Sequence, residues 1–239
     1  MMHDAITAYI ERHGLERFAP QAVLFDMDGV LFNSMPNHAH SWHKSMTECG
    51  LEMSEKDAYL YEGMRGVETI KQLAREQWHR ELTDDEAQRL YQIKCDYFAA
   101  CPPAQKMVGV EELMTWLHKH GMTIGVVTGS GQHSLLDALE QTFLGLVFKQ
   151  YIVTAFDVLH GKPSPEPYLA GLKKVGVDAT QAIVVENAPL GVQSAVAAGI
   201  FTIAVNTGPL PDEILKEAGA DIVVKDMAAA LREIKRLKN

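Results

Sequence analysis

A chain of 239 residues, 47% of them hydrophobic and 22% charged, has the material for a sizeable core and is too rich in apolar residues for a disordered segment. With 22 basic against 31 acidic residues, a formal charge of −9 and a pI near 5.5, it excludes nucleic acid and anionic membrane surfaces as partners, because both would repel it. Three cysteines without a Cys-x-x-Cys pair read as reduced thiols, and neither an eighteen-residue apolar run nor a basic, apolar leader is present, so a cytoplasmic protein without a membrane span is expected.

The elements follow in chain order. Ile6, Tyr9, Ile10 and Leu15 fit a short amphipathic helix packing on the core, and Ala22-Val23-Leu24-Phe25 is a buried strand that ends in Asp26-Met27-Asp28-Gly29-Val30. After Ser34-Met35-Pro36 strand-like runs stop until Cys101-Pro102-Pro103, and the spacing of Ser54 to Asp57 and of Thr83 to Glu86 marks helix starts with capping boxes. Beyond that stretch the pattern alternates. A helix is expected from Val108 to His120, a strand from Met122 to Val127, a helix from Gln132 to Gln141, and strands over Tyr151 to Thr154, Ala182 to Val185 and Phe201 to Val205. An amphipathic helix from Met227 to Leu237 closes the chain. Alternation predicts an α/β fold, a Rossmann-like parallel sheet of residues 1–35 and 106–239 with an α-helical cap domain inserted at 36–105.

Strand ends carry the chemistry. Asp26 and Asp28 follow the first strand, Thr128 the second, Lys162 a loop after the third, and Glu186-Asn187 the fourth. In a parallel sheet such ends meet at one edge, where ligands bind. The set suits phosphoryl transfer through a covalent intermediate. Asp26 is the candidate nucleophile, and Asp28 the general acid and base, its pKa expected to be raised by apolar surroundings and nearby acids. Mg2+ held by Asp26, the Asp28 carbonyl, Glu186 and Asn187 would bring a dianionic phosphate to a carboxylate, while Thr128 and Lys162 hold its oxygens.

These motifs, with Val127-Thr128-Gly129-Ser130, Gly161-Lys162-Pro163-Ser164-Pro165-Glu166-Pro167-Tyr168 and Glu186-Asn187-Ala188-Pro189-Leu190-Gly191, resemble those of the haloacid dehalogenase superfamily in its capped phosphatase and β-phosphoglucomutase-like branch. The resemblance implies the same roles for Asp26, Asp28, Thr128, Lys162 and Glu186, and adds Gly129 and Ser130 to the phosphate site. Asn187 stands where the family usually has a second acid, which implies a less negative magnesium site. Dehalogenation is not expected, because dehalogenases of the superfamily have no use for Asp28 or Glu186.

In the cap, Glu62-Gly63-Met64-Arg65-Gly66 lies where family members place specificity residues. Its bland alternative is a turn with solvated charges. Arg65 is the candidate to grip a second phosphate or a carboxylate, and Glu62 to meet a hydroxyl, a proton or a metal ion. By resemblance, His38 orients Asp28. The implied substrate is a small phosphorylated compound, inorganic pyrophosphate or a sugar phosphate. A β-phosphoglucomutase ranks second, because Gly66 and Ala99 fall where mutases keep cap cations. A phosphate-storing receiver module ranks last, since it needs neither Asp28 nor a cap. The spacing of His38, His40 and His43 does not place three imidazoles on one helix face, and both glycine-rich stretches depart from nucleotide-loop patterns. Oligomeric state is left open.

Overall fold

The structure, a computed structural model, describes residues 2–130 and 139–238. Its helices are α1 (Met2–His13), α2 (Met35–Cys49), α3 (Glu55–Leu60), α4 (Gly66–Gln77), α5 (Asp84–Ala99), α6 (Val110–Lys119), α7 (Glu166–Val175), α8 (Pro189–Ala197), α9 (Asp212–Glu217) and α10 (Met227–Lys235). The strands are β1 (Ala22–Phe25), β2 (Thr123–Val127), β3 (Ile152–Val153), β4 (Ala182–Glu186), β5 (Phe201–Val205) and β6 (Ile222–Val224). Most of the helix expected between Gln132 and Gln141 lies outside the described residues.

The strands form one six-stranded parallel sheet in the order β3-β2-β1-β4-β5-β6. Alternate residues of the buried strands feed opposite faces. Val23, Phe25, Val126 and Val185 pack toward α1, α6 and α10, while Leu24, Val127 and Val184 pack toward α7 and α8. Burial on both faces explains the unbroken apolar runs in the sequence. Gly125 and Gly171 let α7 lie close to the sheet, for a Cβ on Gly125 would sit 2.6 Å from Leu24 Cδ2 and 2.9 Å from Val175 Cγ1. β6 was not expected, because three residues carry no readable period.

The register positions the site. Phe25 pairs with Val126 on one side and Val185 on the other, so Asp26, Val127 and Glu186 leave the sheet at one level. β1 lies beside both β2 and β4, the point where strand order reverses and a crevice opens.

Helices α2 to α5 have an apolar cluster of their own, with Trp42, Met46, Ile70 and Leu73 at its centre. Both expected capping boxes are formed: the Ser54 amide donates to Asp57 at 2.9 Å, and the Thr83 amide to Glu86 at 2.9 Å. At the other end, α1 docks through Tyr9, whose hydroxyl donates to the Gly199 carbonyl at 2.7 Å.

Candidate active site

Lys162 is the hub of the sheet edge. Fully buried, its ammonium donates to Asp26 Oδ1 at 2.5 Å, Glu186 Oε1 at 2.6 Å and the Val127 carbonyl at 3.2 Å, which uses all three of its protons. The Tyr168 hydroxyl adds a bond to Glu186 Oε1 at 3.0 Å, and Glu186 Oε2 accepts the amides of Asn187 and Ala188 at 2.7 and 2.9 Å. A side chain at Gly191 would fall within 1.7 Å of Glu186 Oε1, so glycine there makes room for the carboxylate. Burial lifts Asp26 to about 8, with Lys162 opposing and the charges of Glu186 and Asp28 adding to the rise. Burial pulls the other way on Lys162, but Asp26 and Glu186 outweigh it and hold the ammonium charged.

Asp28 departs from expectation. Burial does push its carboxyl up, yet His38, Ser34 and the more distant Lys94 outweigh it, so the group lies below the usual carboxylate range. Ser34 Oγ donates to Asp28 Oδ1 at 2.6 Å, and His38 Nε2 lies 3.2 Å from the same oxygen. Behind it, Lys94 Nζ sits 2.8 Å from His38 Nδ1. A charged Lys94 donates to Nδ1, which leaves the proton on Nε2 pointing at Asp28. Burial first and Lys94 second keep His38 below its ordinary pKa, so the neutral tautomer is the one in place.

Lys94 was missed in the sequence. Its ammonium lies 4.9 to 5.8 Å from the ring centres of Phe98, Trp42 and Tyr91, and burial lowers its pKa to about 8. The signal that would have found it is its position between Tyr91 and Phe98 on one stripe of α5, a lysine on an inward face.

Glu62 comes down from the loop before α4. Both its oxygens accept from Asn187 Nδ2 at 3.0 Å, and burial, with the charges of Asp26 and Glu186, pushes its pKa well up. That pairing turns Asn187 Oδ1 the other way, where it is buried without a partner. Gly29 admits the amide: its φ is +83°, and a Cβ would lie 2.2 Å from Nδ2. Among the described residues no three His, Cys, Asp or Glu side chains form a ready metal cage. The oxygens of Asp26, Asp28, Glu186 and the orphaned Asn187 Oδ1 nevertheless fit magnesium, which keeps several waters and needs only one or two carboxylates.

Thr128 is buried at the end of β2, where its Oγ1 accepts the Ser130 amide at 2.9 Å. Gly129 lies under the Gly63 carbonyl, 2.5 Å from where a Cβ would be, and Ser130 is buried beside it. Asp26, Asp28, His38, Glu62, Lys94, Gly129 and Ser130 line one cavity, closed by Trp42, Tyr61 and Tyr91. Arg65 does not enter it. Its guanidinium turns to the Leu159 carbonyl, 2.7 Å away, and lies 3.9 Å from Glu68.

A parallel Rossmann-like sheet with paired aspartates after its first strand, and a lysine and a glutamate delivered by neighbouring strands, defines a class of enzymes that move phosphoryl groups. The chain belongs to the haloacid dehalogenase-like hydrolase family, whose model matches residues 23–205, and is an enzyme of its phosphatase and phosphoglucomutase-like kind. It is 48% identical to a solved protein from Bacteroides vulgatus assigned as a beta-phosphoglucomutase, with a TM-score of 0.95 and coverage of 99% of this chain and 96% of that one. It is 32% identical to Hexitol phosphatase A of Escherichia coli K12 over 77% of this chain and 82% of that protein. It is also 32% identical to SUPPRESSOR OF QUENCHING 1 of Arabidopsis thaliana over 86% of this chain, but spans only 20% of that longer protein. No helix among the described residues is long and apolar enough to cross a membrane.

Proposed function

We propose that this chain is a magnesium-dependent phosphohydrolase acting through phospho-Asp26 on a small phosphate compound, inorganic pyrophosphate or a sugar phosphate, in the cytoplasm. Residues 1–35 and 106–239 form the catalytic core and 36–105 the cap. The observation that carries the reading is the buried array in which Lys162 holds Asp26 and Glu186, beside Asp28 with its own set of donors.

In the first step an Asp26 oxygen attacks phosphorus and the bond to the leaving oxygen breaks, that oxygen taking a proton from Asp28. In the second, water attacks the same phosphorus, Asp28 recovers a proton from it, and the acyl phosphate bond breaks to return Asp26 and release inorganic phosphate. His38 and Ser34 favour ionised Asp28, the form needed for the second step; a bound dianionic phosphate works against them and favours the protonated form needed for the first. Thr128, Gly129, Ser130 and Lys162 hold the phosphate oxygens. Magnesium, when bound at Asp26, Asp28, Glu186 and Asn187, supplies the positive charge that lets a dianion approach a carboxylate. Glu62, aimed at Asn187, adds an acid next to that charge, which favours a substrate carrying its own hydroxyls or its own metal.

The E. coli relative's name, Hexitol phosphatase A, supports a sugar phosphate. A second reading, a β-phosphoglucomutase, is favoured by Lys94, a buried cation lining the same cavity as Gly66, which offers none. Family membership leaves no place for a receiver module.

The test is phosphate release with magnesium from pyrophosphate, hexose phosphates, nucleotides and β-glucose 1-phosphate, the last also assayed for glucose 6-phosphate. Asp26→Asn is expected to abolish every turnover. Release that survives in Asp26→Asn refutes the mechanism, and glucose 6-phosphate without free phosphate selects the mutase.

A further inference from the structure

The loop between β3 and α7 carries Lys162, and it is gripped from two sides. From the core, Glu166 at the start of α7 accepts the Leu159 amide at 2.7 Å, the His160 amide at 3.0 Å and His160 Nδ1 at 2.8 Å. From the cap, Arg65 at the head of α4 donates to the Leu159 carbonyl at 2.7 Å. The same peptide region is therefore fixed by a core acid through its N–H and by a cap base through its C=O. Gly161, the next residue but one, is buried under Arg65: a Cβ there would lie 2.7 Å from Arg65 Cγ and 3.0 Å from the Arg65 amide nitrogen. Its φ is outside the left-handed region, so the core backbone would accept alanine, and what excludes a side chain is the cap residue above it.

We propose that Arg65 is a positioning residue that latches the cap to the Lys162 loop, with Gly161 as its seat, and that it does not grip the substrate. The neighbouring loop explains why this matters for the site. Glu62 and Gly63 stand three and two residues before Arg65; Gly63 lies over Gly129 and against Lys162 Cδ, and Glu62 reaches Asn187. Fastening Arg65 to Leu159 thus sets the height of Glu62 and Gly63 above the phosphate site, and it does so through the loop that supplies Lys162. A latch of this kind acts on the fraction of molecules with the cap down, so it changes apparent affinity and leaves the chemical step alone.

The experiment uses the full chain and two readouts, of which the kinetic one rests on the hydrolase reading and small-angle X-ray scattering does not. Arg65→Ala and Gly161→Ala are expected to raise the radius of gyration of the free protein. They are also expected to raise KM about tenfold for every substrate that turns over, the loss of about one charged hydrogen bond, with kcat kept within about twofold. Arg65→Lys, which still donates to a carbonyl, restores most of the KM. A KM change confined to substrates with a second anionic group puts Arg65 on the substrate and overturns the latch. Unchanged scattering overturns it too, as does an expansion that leaves KM untouched. If Arg65→Ala fails to fold, Gly161→Ala carries the test alone. A panel with no turnover but an expanded variant refutes the assigned reaction and keeps the latch.

Discussion

Lys94→Met separates stability from activity at a single position. The variant keeps an apolar stem as far as Cε, with sulfur in place of Cδ, and removes the ammonium, which sits fully buried between Trp42, Tyr91 and Phe98. Burial lowers the lysine from 10.5 to about 8, while Cys95, Asp28 and Cys101 oppose the fall. The charge therefore costs the folded state about 3 kcal/mol at neutral pH, offset in part by about 1 to 2 kcal/mol of cation–π attraction. Methionine should make the protein more stable by about 1 to 2 kcal/mol in urea denaturation. The sign with pH follows from a lowered base. Below pH 8 both folded and unfolded chains hold the proton and the cost is full; between 8 and 10.5 only the unfolded chain holds it, so the wild type gains stability as pH rises. The gap between wild type and Lys94→Met should close over that window. Activity should move in the opposite direction. Without a donor at Nδ1, His38 is free to take the other tautomer and present a bare Nε2 to Asp28, and turnover should fall by about 10 to 100-fold, the usual effect of removing a partner behind a working residue. Lower stability in Lys94→Met, or unchanged turnover, refutes the account of Lys94 as a charge held at a cost for the sake of His38.

Asn187→Asp replaces the amide that Glu62 binds through both oxygens with a third acid, and restores the family's usual charge. Half-saturating magnesium in a phosphate-release titration should fall by about tenfold, since ligand charge sets affinity for hard cations. An unchanged magnesium requirement would remove Asn187 from the metal site. Gly125→Ala places a methyl within 2.6 Å of Leu24 and 2.9 Å of Val175, and should cost about 1 to 3 kcal/mol in urea denaturation by prising α7 from the sheet. A neutral effect would mean that α7 shifts freely, and with it the Lys162 loop.

What was legible in the sequence follows one physical rule: a residue is readable when its position in a local pattern dictates its place in space. Asp26, Thr128 and Glu186 end apolar runs buried on both faces, and a parallel sheet in register leaves no other place for them than one edge. The capping boxes at Ser54 and Thr83 are equally local. Lys94 is less so: Tyr91 and Phe98 put it on an inward stripe of α5, but its burial is decided by α2 packing across it and bringing His38 within 2.8 Å. The direction of the Asp28 shift was misjudged for the same reason. Apolar surroundings are visible in Val30 and Leu31, whereas the groups that outweigh burial are Ser34, His38 on α2 and a lysine on another helix. Arg65 is the converse case. It shares a motif with Glu62 three residues earlier, yet residues of the turn before α4 point in different directions, so Glu62 faces Asn187 while Arg65 faces the Leu159 loop. Chemistry placed by strand ends is thus read from the chain, and chemistry placed by helix packing has to be read from the fold. The division falls between the sheet edge, where Asp26, Thr128 and Glu186 stand at strand ends, and helices α2 to α5, where packing brings His38 and Lys94 together.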